Sequence, residues 1–278
     1  MGHHFVPQFY LRGFTEGNTI WVYDRQGSCS FNSQPKTVAN ENKMYSEEIE
    51  SWLANEIEGP AQPAIQKIRE RRALSDKDRL VLARYLFVLW KRVPEGRARF
   101  AARLPEVAES VKNELHESLS AAAATNPDLA HLAETRKEEV SSIIERYQRE
   151  IPAEIWQSSL MKESSAKVVE STLSMNWRFL CSDRLQFLTC DNPVFFFSHE
   201  GINQPTSELT VPLSSSVALW ATRRPIHGST YVSALPVAVR EINRRTATNA
   251  TRFVYSMRTE PWILPFVCKG GYVLNRLI

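Results

Sequence analysis

Gly2-His3-His4-Phe5-Val6-Pro7-Gln8-Phe9-Tyr10-Leu11-Arg12-Gly13-Phe14 is the stretch on which the reading of this chain turns. Pro7 has a fixed φ and no N–H, and it biases Val6 towards an extended conformation. A short helix can start at Pro7, because the first helical turn tolerates proline. Phe9, Tyr10 and Phe14 then fall in or near one apolar stripe, and Gly13 offers a stop. Terminal segments usually fray, but this one carries too much apolar surface to be left in water. It is expected to dock into the core and to carry His3 and His4 with it. Phe5, Phe9, Tyr10 and Phe14 are expected against the C-terminal strands and not against the helices.

Working outward, residues 19–24 read as a strand from their β-branched and aromatic content, and Asp24-Arg25-Gln26-Gly27 is a turn signal that sends the chain back through 28–31. Ser46 is a candidate N-cap, with Glu47 and Glu48 at the positive end of the helix dipole. Ser75 and Asp78 form a capping-box pattern ahead of residues 79–90, which are nearly all apolar. That run is too short for a bilayer and predicts a central buried helix. Residues 95–124 and 128–149 predict two further helices. The second has Asn126 and Pro127 at its start and an inward stripe of Leu129, Leu132, Val140, Ile143, Ile144 and Tyr147. Residues 154–174 predict one more.

From Asn176 the pattern returns to strands, over 177–181, 186–189, 194–197, 209–211 and 217–222. A helix follows over 237–249, then strands over 252–256 and 271–275. The β-rich segments therefore lie at both ends, 1–45 and 176–278, with helices over 46–175 between them. Short β segments do not fold alone. The expected fold is α+β: one domain whose mixed β-sheet is built from both chain ends, with the helical insertion packed on it.

Composition excludes several classes. The 278 residues are 43% hydrophobic, enough for a core. No run approaches the ~20 apolar residues of a membrane span, and no charged segment leads into an apolar one as in a signal peptide. Cys29, Cys181, Cys190 and Cys268 show no metal-type pairing and fit reduced thiols in a cytoplasm. The net charge of +3 permits contact with nucleic acid without arguing for it. A Walker loop, a dinucleotide fingerprint, a Gly-x-Ser-x-Gly elbow and paired zinc cysteines are all missing, against nucleotide hydrolysis, Rossmann chemistry and serine-hydrolase chemistry.

His4-Phe5-Val6-Pro7-Gln8-Phe9-Tyr10-Leu11 resembles the opening motif of an uncharacterised, mainly bacterial family of unknown function, the DUF4238 type, which reads His, Tyr or Phe, Val, Pro, any residue, Phe, Tyr, Leu. Phe187-Leu188-Thr189-Cys190-Asp191-Asn192-Pro193-Val194 resembles its second motif, a strand followed by Ser-Asp-Asn-Pro, with Cys190 in the place of the serine. The resemblance brings candidate positions and no established activity. Of the two histidines, it favours His4.

Each candidate has a structural and a chemical reading. Asp191-Asn192-Pro193 is a turn signal, or a carboxylate and an amide presented at a sheet end. His3 and His4 are backbone-bonded structural residues, metal ligands or general bases. The arginine clusters at 69–72, at 91–99 and at Arg240, Arg244, Arg245 and Arg252 are helix surface beside local acids, or phosphate contacts. One hypothesis is a metal-dependent hydrolase, a phosphodiesterase or nuclease. In it His4, Asp191 and Asn192 are catalytic, and His3, His4 and Asp191 hold a divalent metal. Gln8, Arg12, Arg244 and Arg245 contact nucleic acid or another phosphate-bearing ligand. The spelling also resembles the opening of HNH nuclease motifs, but those have a strand before the histidine, and Asn40 and Asn42 sit late for their asparagine. The competing hypothesis is a non-catalytic nucleic-acid- or protein-binding module, in stress or phage defence, whose two motifs are both structural.

Overall fold

A computed structural model describes residues 2–149, 151–161, 166–197 and 202–277. The apolar opening stretch is fixed first by short elements: β1 (Gly2–His4), α1 (Gln8–Leu11) and a 3₁₀ turn (Arg12–Phe14). Pro7 stands at the N-cap of α1 in the extended region. The hairpin β2 (Ile20–Asp24) and β3 (Cys29–Ser33) follows, then β4 (Asn40–Asn42), which pairs antiparallel with β1.

Next come α2 (Glu47–Trp52), π-helical Leu53–Glu58, α3 (Gly59–Arg69) and α4 (Asp76–Arg92). Ser46 caps α2 by accepting from the Ile49 N–H, and Ser75 and Asp78 close the expected capping box on α4. Leu82, Ala83, Leu86 and Leu89 of α4 are buried, as its apolar run requires. α5 (Pro94–Thr125), α6 (Ala130–Arg149), α7 (Ala153–Met161) and α8 (Ala166–Leu173) complete the helical middle.

The rest is β5 (Asn176–Cys181), β6 (Thr189–Cys190), β7 (Phe195–Phe196), β8 (Glu208–Pro212), β9 (Val217–Thr222), β10 (Tyr231–Ser233), α9 (Pro236–Asn249), β11 (Phe253–Ser256) and α10 (Ile263–Lys269). The class is α+β. The sheet arrangement departs from the expected single mixed sheet. The sheet shared by both ends, in the order β3-β2-β11-β6, is antiparallel throughout. The mixed sheet, β10-β5-β9-β8-β7, comes wholly from the C-terminal part, and only its β10–β5 pair is parallel. Residues 176–233 supply enough strands to satisfy one another and need no partner from the N-terminal segment. The expected strand over 271–275 is irregular chain. Gly270 and Gly271, both at φ above +60°, turn the backbone out of extended geometry just before it.

The chain divides into two compact units, residues 1–94 with 163–278, and residues 95–162. The helices α2 to α4, expected within the insertion, thus belong with the sheets. In the second unit His116 on α5 bonds the Lys137 carbonyl of α6 at 3.1 Å, and the Arg97 guanidinium lies over the Trp156 ring. The expected inward stripe of α6 holds only in part: Val140, Ile144 and Tyr147 are half-buried. Leu129, Leu132 and Ile143 are exposed, and the buried apolar positions described on α5 and α6 are Ala108 and Ala133.

Candidate ligand groove at the opening motif

Tyr10, Leu11 and Phe14 are fully buried. Tyr10 ties the two sequence motifs together: its hydroxyl meets Thr189 Oγ1 at 2.9 Å, on the strand that leads into Asp191, and donates to the Pro212 carbonyl. Burial pushes this phenol far above its usual range, so it stays a neutral donor. Phe9 goes the other way. Its ring packs on Tyr85 of α4, at 5.5 Å between centroids, so the expectation that all four aromatics face strands fails for this one.

Two arginines fasten the stretch through its carbonyls. Arg69 of α3 donates to the carbonyls of Phe9, Tyr10 and Leu213. Arg92 of α4, 1% exposed, donates to the His4 carbonyl and pairs with Glu58 at 2.5 Å. Burial works against the Arg92 charge, but Tyr45 and Glu58 hold it above its ordinary range. Neither arginine is plain helix surface or a phosphate contact, the two roles that the sequence offers. Their guanidiniums are instead spent on backbone carbonyls remote in sequence and, for Arg92, on Glu58, a use that local spacing does not reveal.

The histidines are built into the same frame. His3 Nδ1 accepts the Tyr45 N–H at 3.0 Å, and its ring stacks on the Tyr45 ring. His4 Nε2 donates to the Lys36 carbonyl at 3.2 Å, which fixes the tautomer at that nitrogen. Asp191 is 4% exposed and closes a backbone loop. Its Oδ1 accepts from the Thr251 N–H, and its Oδ2 from those of Arg252 and Phe253, at 2.8–2.9 Å. Burial raises the Asp191 pKa, against the pull of those three donors. Asn192 donates to the Asn249 carbonyl at 3.0 Å, Asn249 donates back to the Asn192 and Val194 carbonyls, and the Cys190 thiol bonds the Asn192 carbonyl at 3.1 Å. The thiol thus makes a bond that a hydroxyl would make. Among the described residues no three of His, Cys, Asp and Glu are grouped so as to hold a metal ion. The expected ligand set of His3, His4 and Asp191 is therefore not assembled: the two motifs meet through Tyr10 and Thr189 instead.

Arg245 is likewise not placed to contact a ligand. It is wholly buried, paired with Glu208 at 2.5 Å and 3.8 Å from Glu241, with its guanidinium over Phe195 and Phe197. Desolvation lowers its pKa, and the two carboxylates oppose that shift. At 0% exposure Arg245 presents no surface to a ligand. Arg244 is half-buried, 3.3 Å from Glu241. Arg252, in the same cluster, pairs with Asp24.

Gln8 and Arg12 fare differently. Arg12 is exposed, and its guanidinium has no hydrogen bond or ion pair among the described residues. It lines two clefts. One, of about 720 Å³, is also bordered by Gln62, Gln66, Arg69 and the serines of the Ser214–216 turn. The other, of about 410 Å³, is bordered by Gln8, Asn18, Gln34 and Lys36. No carboxylate lines either cleft among the described residues. The opening motif sets these walls. His4 holds the Lys36 turn, and Gly13 accepts the Ser215 N–H at 2.9 Å. Ser214 Oγ accepts from the N–H groups of Ser216 and Val217, so the serine turn is preformed. The serines, Gln62 and Lys36 escaped sequence reasoning, because nothing in their local pattern sets them apart and only the fold gathers them around Arg12.

The family model described as a protein of unknown function (DUF4238) matches residues 2–260. No curated protein and no solved structure matches the chain.

Proposed function

The chain belongs to the DUF4238 family, whose function is unknown, and from that premise we propose that it is a non-catalytic binding module for a phosphate-bearing ligand, nucleic acid being the class favoured. The observation that carries this is the unpartnered Arg12 between two clefts lined by amides, hydroxyls and Lys36 without a carboxylate, with Arg69 adding its charge while its donors serve backbone carbonyls. Phosphate oxygens are acceptors only, and a donor-rich wall with fixed positive charge is what they require. His4, Asp191 and Asn192 then serve as positioning residues. His4 holds the Lys36 carbonyl, and Asp191 closes the turn ahead of β11. The hydrolase reading needs a metal held by His3, His4 and Asp191, and the contacts of those side chains supply no such group.

Fluorescence anisotropy with a labelled single-stranded oligonucleotide of about a dozen residues tests the proposal. Binding is expected to weaken with salt, as phosphate contacts do, and to weaken further in Arg12→Ala and Lys36→Ala. The oligonucleotide is expected to remain intact with Mg²⁺ or Mn²⁺ present. Absence of binding at low salt, or binding indifferent to Arg12→Ala, overturns the proposal. Metal-dependent cleavage that Asp191→Asn abolishes restores the hydrolase.

A further inference from the structure

A third concavity lies apart from the Arg12 clefts in its lining, and its chemistry differs. It has a volume of about 430 Å³, within the roughly 300–1,000 Å³ of small-molecule sites. Leu185 and Val239 give it apolar surface, and Trp262 and Phe266 give it an aromatic wall. Arg240 and Arg244, four residues apart on α9, also border it. Residues at that spacing stand on one helix face.

The aromatic wall is held in place. Trp262 is 40% exposed, yet its indole N–H is fixed on Glu260 Oε2 at 2.5 Å. Phe266 meets the indole edge-on at 5.4 Å, and Tyr272 braces Phe266 from behind, at 5.0 Å between centroids and with its hydroxyl on the Phe266 carbonyl. Glu260 also borders the pocket, and its carboxylate is occupied on both oxygens, Oε2 by the indole and Oε1 by Gln186. An exposed tryptophan needs no explanation by itself, but one whose plane is fixed at the wall of a pocket is a preorganised stacking surface. The polar groups are equally informative. Asn243 and Gln186 are committed to backbone partners. Arg244 is shared with Glu241, whose other oxygen takes the Asn275 N–H. Arg240 is exposed and has no partner among the described residues. A flat π-surface beside one spare and one half-satisfied guanidinium matches a planar ring bearing an anionic group.

We propose that this pocket binds a mononucleotide, with the base stacked on Trp262 and the phosphate at Arg240 and Arg244. The site shares no residue with the Arg12 groove and does not depend on how that groove is read. Calorimetric titration of the full chain with AMP, GMP and UMP is the test, with adenosine and inorganic phosphate as separate arms. At least one nucleotide is expected to bind with a Kd below about 1 mM, and more tightly than adenosine or phosphate alone. Trp262→Ala and Arg240→Ala are each expected to weaken that binding about tenfold, the latter, on an exposed side chain, with unchanged melting temperature. Arg12→Ala is expected to leave it unchanged. Absence of saturable binding up to about 5 mM, adenosine or phosphate binding as tightly as the nucleotide, or affinity unmoved by Trp262→Ala and Arg240→Ala overturns the proposal. Loss of nucleotide binding in Arg12→Ala moves the ligand to the other site and overturns it too.

Discussion

Gly13 shows how narrow the tolerances around the opening motif are. A Cβ built there meets the Leu213 carbonyl oxygen at 2.7 Å and the guanidinium of Arg69. Any side chain must displace the arginine that holds the Phe9, Tyr10 and Leu213 carbonyls. Gly13→Ala is expected to cost about 1–3 kcal/mol, the scale of overpacking a filled site, read as a lower urea midpoint with unchanged m-value. Asp191 makes the complementary point by what it holds. Asp191→Ala strands the N–H groups of Thr251, Arg252 and Phe253, at about 1–3 kcal/mol for a buried unsatisfied group. A large fall in melting temperature without any change in metal response is the expected result. Asp191 and His4 were visible in the sequence as special residues. Their roles were not, because a carboxylate that ligates a metal and one that caps three amides are spelled alike.

At the scale of elements, α4 separates what is local from what is not. Its capping box uses Ser75 and Asp78, three residues apart, so a short window of sequence contains the whole device. Ser75→Ala is expected to cost about 1 kcal/mol, measured by chemical denaturation. The other end of α4 carries Arg92, which reaches Glu58 and the His4 carbonyl. No window of sequence holds those three together. Arg92→Met is expected to destabilise by about 3–5 kcal/mol, because it leaves Glu58 without its cation and the His4 carbonyl without its donor. Glu58→Gln combined with Arg92→Met is expected to recover part of the loss, a coupling that a double-mutant cycle reads directly.

For the whole molecule, stability in acid draws on two ion pairs, one that spans the chain and one between neighbouring helices. Hydrogen bonds from Arg252, with the N–H groups of Gly27 and Gln26, hold Asp24 down to about 2, from an ordinary value of 3.8. Lys67, with Ser75, does the same for Asp78. A carboxylate depressed on folding stabilises above its unfolded pKa and loses that contribution as pH falls through the folded one. Stability is therefore expected to decline between about pH 4 and pH 2, and urea melts of Asp24→Asn across that window are expected to show a shallower decline. Removing residues 1–14 is expected to leave a molten product that binds a hydrophobic dye and lacks near-ultraviolet dichroism, since Tyr10, Leu11 and Phe14 contribute roughly 1.5–3 kcal/mol each by burial. Period, capping and composition by themselves determined the α+β class, the buried helix over residues 79–90, the first hairpin and the docking of the opening stretch, because these follow from the order of residues within a few turns or strands. Tertiary structure alone decided that the described strands form three sheets, that Arg69, Arg92 and Arg245 staple remote parts of the chain, and that Gln62 and the 214–216 serines line one cleft beside Arg12 and Lys36 the other. Those outcomes depend on pairings across tens to hundreds of residues, and a pairing energy between remote groups leaves no mark on the local pattern of either partner.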